Sequence, residues 1–256
     1  MSSQTDLARL AVEDFVERFR GEVVPLSNRF SYFFVALPLS EEDTREYLQE
    51  PISALPPKLL PVLPRISIFL VPYLERANGR EKGHGKPEYV VCLDKPAEQR
   101  HTVMSKITTE DETTFVFAIK DQEVADYHYH LYRALAEAAA ERWSIEVQNQ
   151  FFSLLREELG ANVHGEVDES SWHEKQALLR RQTNVRRETK VFRSYAKQAF
   201  VDTLTLYLHG ICCDIDVDTG PRQLPSRYLR RRLQLMQTFF PPPSGYAVFP
   251  EDLKPE

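Results

Sequence analysis

Three groups of side chains have the types and spacing to do chemistry. The first is cationic. Arg186, Lys190, Arg193 and Lys197 recur at intervals of four, three and four residues. On a helix rising about 1.5 Å per residue, that spacing stacks all four on one face, with successive charges roughly 5–6 Å apart along the axis. This is on the scale of successive phosphates along a nucleic-acid strand. Arg230 and Arg231 extend the set from a second helix, because Leu229, Leu233 and Met236 take that helix's buried side. A guanidinium fork grips two phosphate oxygens at once. These six residues form the expected anion-binding set.

The second group is acidic. Asp214, Asp216 and Asp218 alternate with Ile215 and Val217. On a strand the three carboxylates would share a face and could hold Mg²⁺ or Mn²⁺. The apolar-Asp-apolar-Asp pattern resembles the metal-binding pair of nucleotidyltransferases, which implies a divalent ion and phosphate chemistry. The chain departs from that family: no Gly-Ser pair lies at the expected distance upstream, and few residues follow downstream. A calcium loop of the EF-hand type fails as well, since Thr219 stands where glycine is required and Pro225 where glutamate is required. The competing reading is a turn whose aspartates pair with Arg222 and Arg227.

The third group is Asp126, His128 and His130. On a strand both imidazoles would face one way and could share a metal, as in His-x-His nucleases, with Tyr132 or Tyr195 as nucleophile. On a helix they diverge. The alanine-rich run Ala134–Ala140 favours helix. That makes His128 a core residue and His130 an exposed one. Other chemistries are excluded by their own rules. The glycines Gly79, Gly83 and Gly85 lack phosphate-loop spacing, and Pro87 stands where a hydroxyl would reach magnesium. No Gly-x-Ser-x-Gly, His-Glu-x-x-His or Cys-x-x-Cys occurs. The three cysteines, Cys92, Cys212 and Cys213, make no disulfide framework, and the adjacent pair is poorly placed to point at one metal. Reduced thiols in a cytoplasmic compartment are expected.

The elements that must position these groups are readable from periodicity. Residues 5–20 form an amphipathic helix capped by Thr5 or Asp6. Strands are expected at Arg29–Leu37, Arg65–Val71, Glu88–Leu93, Thr102–Ile107 and Thr113–Ile119. The connections are too short for helical crossovers, so the sheet should be mostly antiparallel. Ser40 opens a short helix through Gln49, and the prolines from Pro51 to Pro64 force an extended path. After Asp121 the period becomes helical. One helix runs from Val124 to about Leu159, a second from Trp172 to about Ile211, and a short third from Ser226 to Met236. The polar seam positions Gln182 and Thr189 leave the first half of the second helix only partly covered. The expected class is α+β: a mostly β subdomain at 1–122 with an N-terminal helix, then a helical subdomain at 123–256, the two also being compatible with one continuous domain.

Charge is polarised along this frame. Residues 172–236 hold thirteen Lys and Arg against six acids, whereas the remainder holds 19 against 32, so the net −6 conceals a strongly basic segment. Such asymmetry marks a surface for anions, unless the acidic part folds back and neutralises it. No apolar run is long enough to span a bilayer, and the N-terminus carries no secretory leader pattern. Three functions follow. The first is a non-enzymatic binding or regulatory protein whose basic helices meet an anionic partner, nucleic-acid backbone before acidic protein. The second is a divalent-metal enzyme acting on a phosphate ester through Asp214, Asp216 and Asp218. The third is a structural subunit of a protein complex.

Overall fold

The computed structural model describes residues 9–77, 88–109, 112–181, 183–213, 222–249 and 251. The fold is α+β. Two compact units form, one from Met1–Gln49 with Pro64–His130, the other from Glu50–Leu63 with Leu131–Glu256. No helix among the described residues is long and apolar enough to cross a membrane.

In chain order the first unit holds β1 (Leu10–Ala11), α1 (Val12–Phe19), β2 (Val24–Pro25), β3 (Phe30–Phe34), α2 (Glu41–Thr44), β4 (Arg65–Val71), β5 (Tyr73–Arg76), β6 (Tyr89–Cys92), β7 (His101–Thr102), β8 (Met104–Thr108) and β9 (Glu112–Ala118). The strands make two sheets, ordered β2-β3-β4-β9-β8 and β1-β6-β5-β7. Five of the seven pairings are antiparallel, but β3, β4 and β9 run parallel at the centre of the larger sheet. The connection from β3 to β4 is long enough to hold helical segments at Glu41–Thr44 and Glu50–Ser53, so the expectation of short spacings fails there. Here the chain returns from β4 to β9 by building the smaller sheet on the way. β4 and β9 are buried along nearly their whole length, as central parallel strands require. This is why both read as continuous apolar runs rather than as alternation.

The helix expected over 5–20 begins only at Val12, because Leu10 and Ala11 pair with Val91 and Val90 of β6. Its candidate caps Thr5 and Asp6 lie outside the described residues. Val12, Phe15, Val16 and Phe19 are spaced along one helical face and pack onto Phe33, Phe69, Val71 and Val116 of one sheet and Leu74 and Val91 of the other. Phe19 stacks on Phe33 with centroids 4.7 Å apart. Ser40 opens α2 through a reciprocal capping box with Asp43.

The second unit holds α3 (Glu50–Ser53), α5 (Ile145–Gly160), α6 (Glu169–Arg181), α7 (Lys190–Cys212) and α8 (Ser226–Phe239), and α4 (Val124–Ala140) passes into it from the first. The proline-rich stretch is not simply extended. Pro51 sits in α3, and Pro61 lies in a short 3₁₀ turn, Leu60–Val62. Pro61 is tolerated at the start of its turn, where the missing N–H has no partner to lose, whereas Pro51 follows a helical run unbroken from Glu41 through a π turn at Arg45–Gln49.

Each of the two long helices expected from periodicity is in fact two. The first breaks after Ala140, and Ser144 restarts it as α5 by accepting the Val147 N–H at 3.2 Å. The second breaks after Arg181, and Thr189 restarts it as α7 by accepting the Phe192 N–H at 3.2 Å. The polar stretch before Thr189 has no apolar face to bury. Capping side chains there offer the backbone an alternative to continuing the helix.

Candidate anion-binding surface and a buried charge cluster

The second break removes Arg186 from the helix face on which its spacing places it. Arg186 lies in the turn ahead of α7, with its guanidinium 3.4 Å from where a Cβ on Gly160 would stand. Gly160 ends α5, and the negative end of a helix dipole favours a cation there. Lys190 is the first residue of α7. Arg193 pairs with Glu188 at 3.0 Å and Lys197 with Glu141 at 2.6 Å. Arg230 pairs with Glu251, and Arg231 pairs with Glu157 at 2.5 Å. Four of the six cations therefore already meet a carboxylate, each supplied by the helical unit itself. All four pairs are exposed or half-exposed, and such contacts contribute about 0–1 kcal/mol and exchange freely with other anions.

What the fold assembles instead is a basic corner between α6 and α7. Arg180, Arg181, Arg186, Arg187, Lys190 and Arg193 are all exposed. Glu188 is the sole acid between positions 180 and 193. Its two oxygens are taken by Arg156 at 2.8 Å and Arg193 at 3.0 Å. Among the described residues, no carboxylate pairs with Arg180, Arg181, Arg186 or Lys190. The first turn of α7 carries no acid either. Arg156 of α5, which spacing alone does not single out, holds the turn in place. It donates to the Arg186 carbonyl at 3.2 Å and lies over the Phe192 ring at 5.1 Å. Removing its contact with Glu188 would loosen the corner without changing the cations on it.

A second charged assembly has the opposite character. Arg232, one residue beyond Arg231, is wholly buried. Its guanidinium donates to Glu158 at 2.6 Å and to Glu166 at 2.7 Å. Lys175 closes on Glu166 at 3.0 Å and on the Gly165 carbonyl at 2.8 Å, and the Tyr195 hydroxyl donates to Glu166 at 2.6 Å. Burial alone raises the Glu166 carboxyl. The charges of Arg232 and Lys175 and the hydrogen bonds from Arg232 and Tyr195 overcome that and hold it near 2. Burial and the Glu166 charge push the Tyr195 phenol well above its usual range, so it stays a donor. The side chains of Glu158, Glu166 and Arg232 are no more than 1% exposed. No substrate reaches them. The cluster joins α5, α6, α7 and α8 to the loop at Glu166, whose backbone bonds to Arg222 and Leu224. Gly165 makes that loop possible. Its φ is +84°, and a Cβ there would stand 2.1 Å from the Gln223 carbonyl oxygen.

The helical wheel contains the signal for this cluster. Arg232 falls three residues after Leu229 and four before Met236, on the same side as both. Glu158 likewise falls three after Leu155. A charge on an apolar stripe announces a buried partner, but not which one.

A smaller knot secures the start of α6. Asp202 of α7 accepts the Ser171 N–H at 2.9 Å, Asp168 accepts the Ser170 N–H at 3.2 Å, and Arg133 pairs with both carboxylates. Burial, with Asp168 nearby, raises the Asp202 carboxyl. His128 is buried, its Nε2 2.9 Å from the Glu46 carbonyl oxygen, as a core histidine on a helix should be. His130 is half-buried rather than exposed. The aspartates Asp214, Asp216 and Asp218 lie outside the described residues, as do Gly79, Gly83, Gly85 and Pro87.

The cysteines fall into two environments. Cys92 is buried against Glu75, and burial followed by that carboxylate pushes its thiol up to about 11, which leaves it unreactive. Cys212 and Cys213 are half-buried at the end of α7. A hydrogen bond from Cys213, opposed by burial and assisted by Tyr132, brings Cys212 down to about 7; the same bond raises Cys213. Between α5 and α8 a groove of about 410 Å³ is lined by Gln150, Ser153, Glu157, Arg231, Gln234 and Thr238 among others. It places Arg231 beside hydrogen-bonding groups rather than beside the basic corner. No family model, no curated protein and no solved structure matches this chain.

Proposed function

We propose that the protein is a non-enzymatic binding or regulatory protein that engages a nucleic-acid backbone through the exposed basic corner between α6 and α7. The observation supporting this reading is the mismatch of charge at that corner: of the exposed cations Arg180, Arg181, Arg186, Lys190 and Arg193, the first four meet no carboxylate among the described residues, and Glu188 is already held by Arg156 and Arg193. Arg180, Arg181, Arg186 and Lys190 supply the positive charge, and the exposed pairs at Arg193 and Lys197 open to admit phosphate. Contacts of this kind read backbone charge and not base sequence.

Gel-shift titration against a short duplex in low salt tests the proposal. Four phosphate contacts give a slope of log K against log salt of roughly −3.6. Reversing Arg180, Arg181 and Lys190 to glutamate should abolish the shift, whereas reversing Arg230 and Arg231 should leave most of it. Absence of any shift at low salt sinks the proposal. So does an equal loss from both sets of reversals. Binding of an acidic polypeptide in place of the duplex would assign the same corner to a protein partner.

A further inference from the structure

The adjacent thiols at the end of α7 form a small site independent of the basic corner. Side chains of neighbouring residues usually diverge, by about 100° along a helix and to opposite faces along a strand. Cys212 and Cys213 escape both cases, because the backbone changes from helical to extended between them. Cys213 has φ −125° and ψ 145°, and its N–H still closes the last turn onto His209. As a result the two sulfurs lie within 4.8 Å of one another. At a metal–sulfur distance of about 2.3 Å, two sulfurs on one ion stand at most roughly 4.6 Å apart. The pair is therefore close to the separation that a single bridging ion requires.

We propose that Cys212 and Cys213 bind one soft metal ion of the monovalent copper class through both sulfurs. Soft thiolates select such ions over magnesium or calcium, and the two sulfurs supply two of the ligands. The position suits a cation for two further reasons. The last turn of α7 presents the negative end of its helix dipole, and the Glu50 carboxylate contributes negative charge at the pair. Both features favour a bound positive ion. Tyr132 reaches Cys212 while its hydroxyl donates to the Pro51 carbonyl at 3.2 Å, which gives one sulfur a fixed polar neighbour. A disulfide between the two is a poor alternative, since adjacent Cα atoms stand about 3.8 Å apart, below the roughly 4.4 Å at which bridges normally begin. Binding involves no redox step. One Cu⁺ and two thiols give a bis-thiolate complex of charge −1 and release two protons, forming two copper–sulfur bonds as two S–H bonds break.

The test is competition between the full reduced chain and bicinchoninic acid for Cu(I) under anaerobic conditions, read from the colour of the chelator complex. The chain should withdraw one equivalent. Cys212→Ser and Cys213→Ser should each weaken capture at least roughly tenfold, while Cys92→Ser, at a buried position, should not. Circular dichroism melting without copper checks that each variant is folded. Three results overturn the proposal: the chelator keeping its copper against excess protein, a folded Cys213→Ser variant capturing copper as well as the parent, or equimolar Zn²⁺ displacing the Cu(I).

Discussion

Arg231 and Arg232 are consecutive, yet they belong to two regions that use the same side chain in opposite ways. Arg232 is enclosed with Glu158, Glu166, Lys175 and Tyr195, and every donor and acceptor of the cluster is directed inward. Arg231 is half-exposed and touches one glutamate that solvent also reaches. The basic corner at α6–α7 goes further still, with cations that outnumber the acid available to them. In the buried cluster charges are balanced two against two, because an unmatched charge in a low-dielectric interior costs several kcal/mol. At the corner water screens repulsion, so an imbalance is tolerated and remains available to a ligand. Net charge along the sequence is therefore a poor guide to binding, and charge left unmatched at the surface is a better one.

The sharpest way to break this contrast is Arg232→Met. It strands Glu158 in the interior and leaves Glu166 with Lys175 and Tyr195 alone, and it should cost about 3–5 kcal/mol in urea unfolding, with no direct effect on nucleic-acid binding by whatever remains folded. If the loss is under about 1 kcal/mol, the cluster is not the organising contact of the four helices.

Acid should dismantle the same cluster without mutation. The Glu166 carboxyl titrates near its ordinary value of 4.5 in the unfolded chain and about 2 in the folded one. Its contribution is fully present above 4.5 and disappears as pH falls through the interval to 2. The linkage amounts to about 3 kcal/mol. Urea midpoints measured from pH 6 down to 2.5 should fall across that window, and Glu166→Gln should flatten the fall.

At the corner the expected pattern is reversed. Glutamates at 180, 181 and 190 should shift stability by no more than about 0.5 kcal/mol while removing the gel shift. A large loss of stability there would mean that these cations are structural after all.

The smallest effect concerns a buried polar group outside both regions. The Tyr127 hydroxyl is buried with no hydrogen-bond partner among the described residues, beside Tyr47 and Phe117. Burial pushes its phenol far above the ordinary range. Tyr127→Phe should therefore stabilise the chain by about 1 kcal/mol, measurable by thermal or urea unfolding. Destabilisation would show that the hydroxyl has a partner after all.

Much of the scaffold was legible without coordinates. The runs at Arg65–Val71 and Thr113–Ile119 declare strands through β-branched and aromatic residues, and both are strands. Ser40 declares a helix start and caps one. The alanine-rich stretch makes His128 a core residue rather than half of a metal site, and it is buried. The breaks at 141–144 and 183–189 were harder to see, because apolar residues recur at helical spacing on both sides of each, even though the stretch before Thr189 is itself polar. A cap acts through one hydrogen bond that no periodicity registers. The parallel centre of the larger sheet was hidden for a different reason. Strand direction depends on what the chain does between strands, and here the return from β3 to β4 passes through helical segments and that from β4 to β9 through a second sheet.

The amino-acid order alone determined where the main strands and helical stretches fall, that the segment from 172 to 236 was basic, and that Arg230 and Arg231 faced away from an apolar stripe. These follow from local sterics and from spacing along a single element. Only the tertiary structure decided which cations found carboxylates, that Arg186 left the helix for a turn on Gly160, and that two neighbouring thiols converged. Each of those outcomes depends on distance between residues remote in the chain or on one change of backbone angle, and Coulomb attraction and hydrogen bonding act over those distances, not over sequence separation.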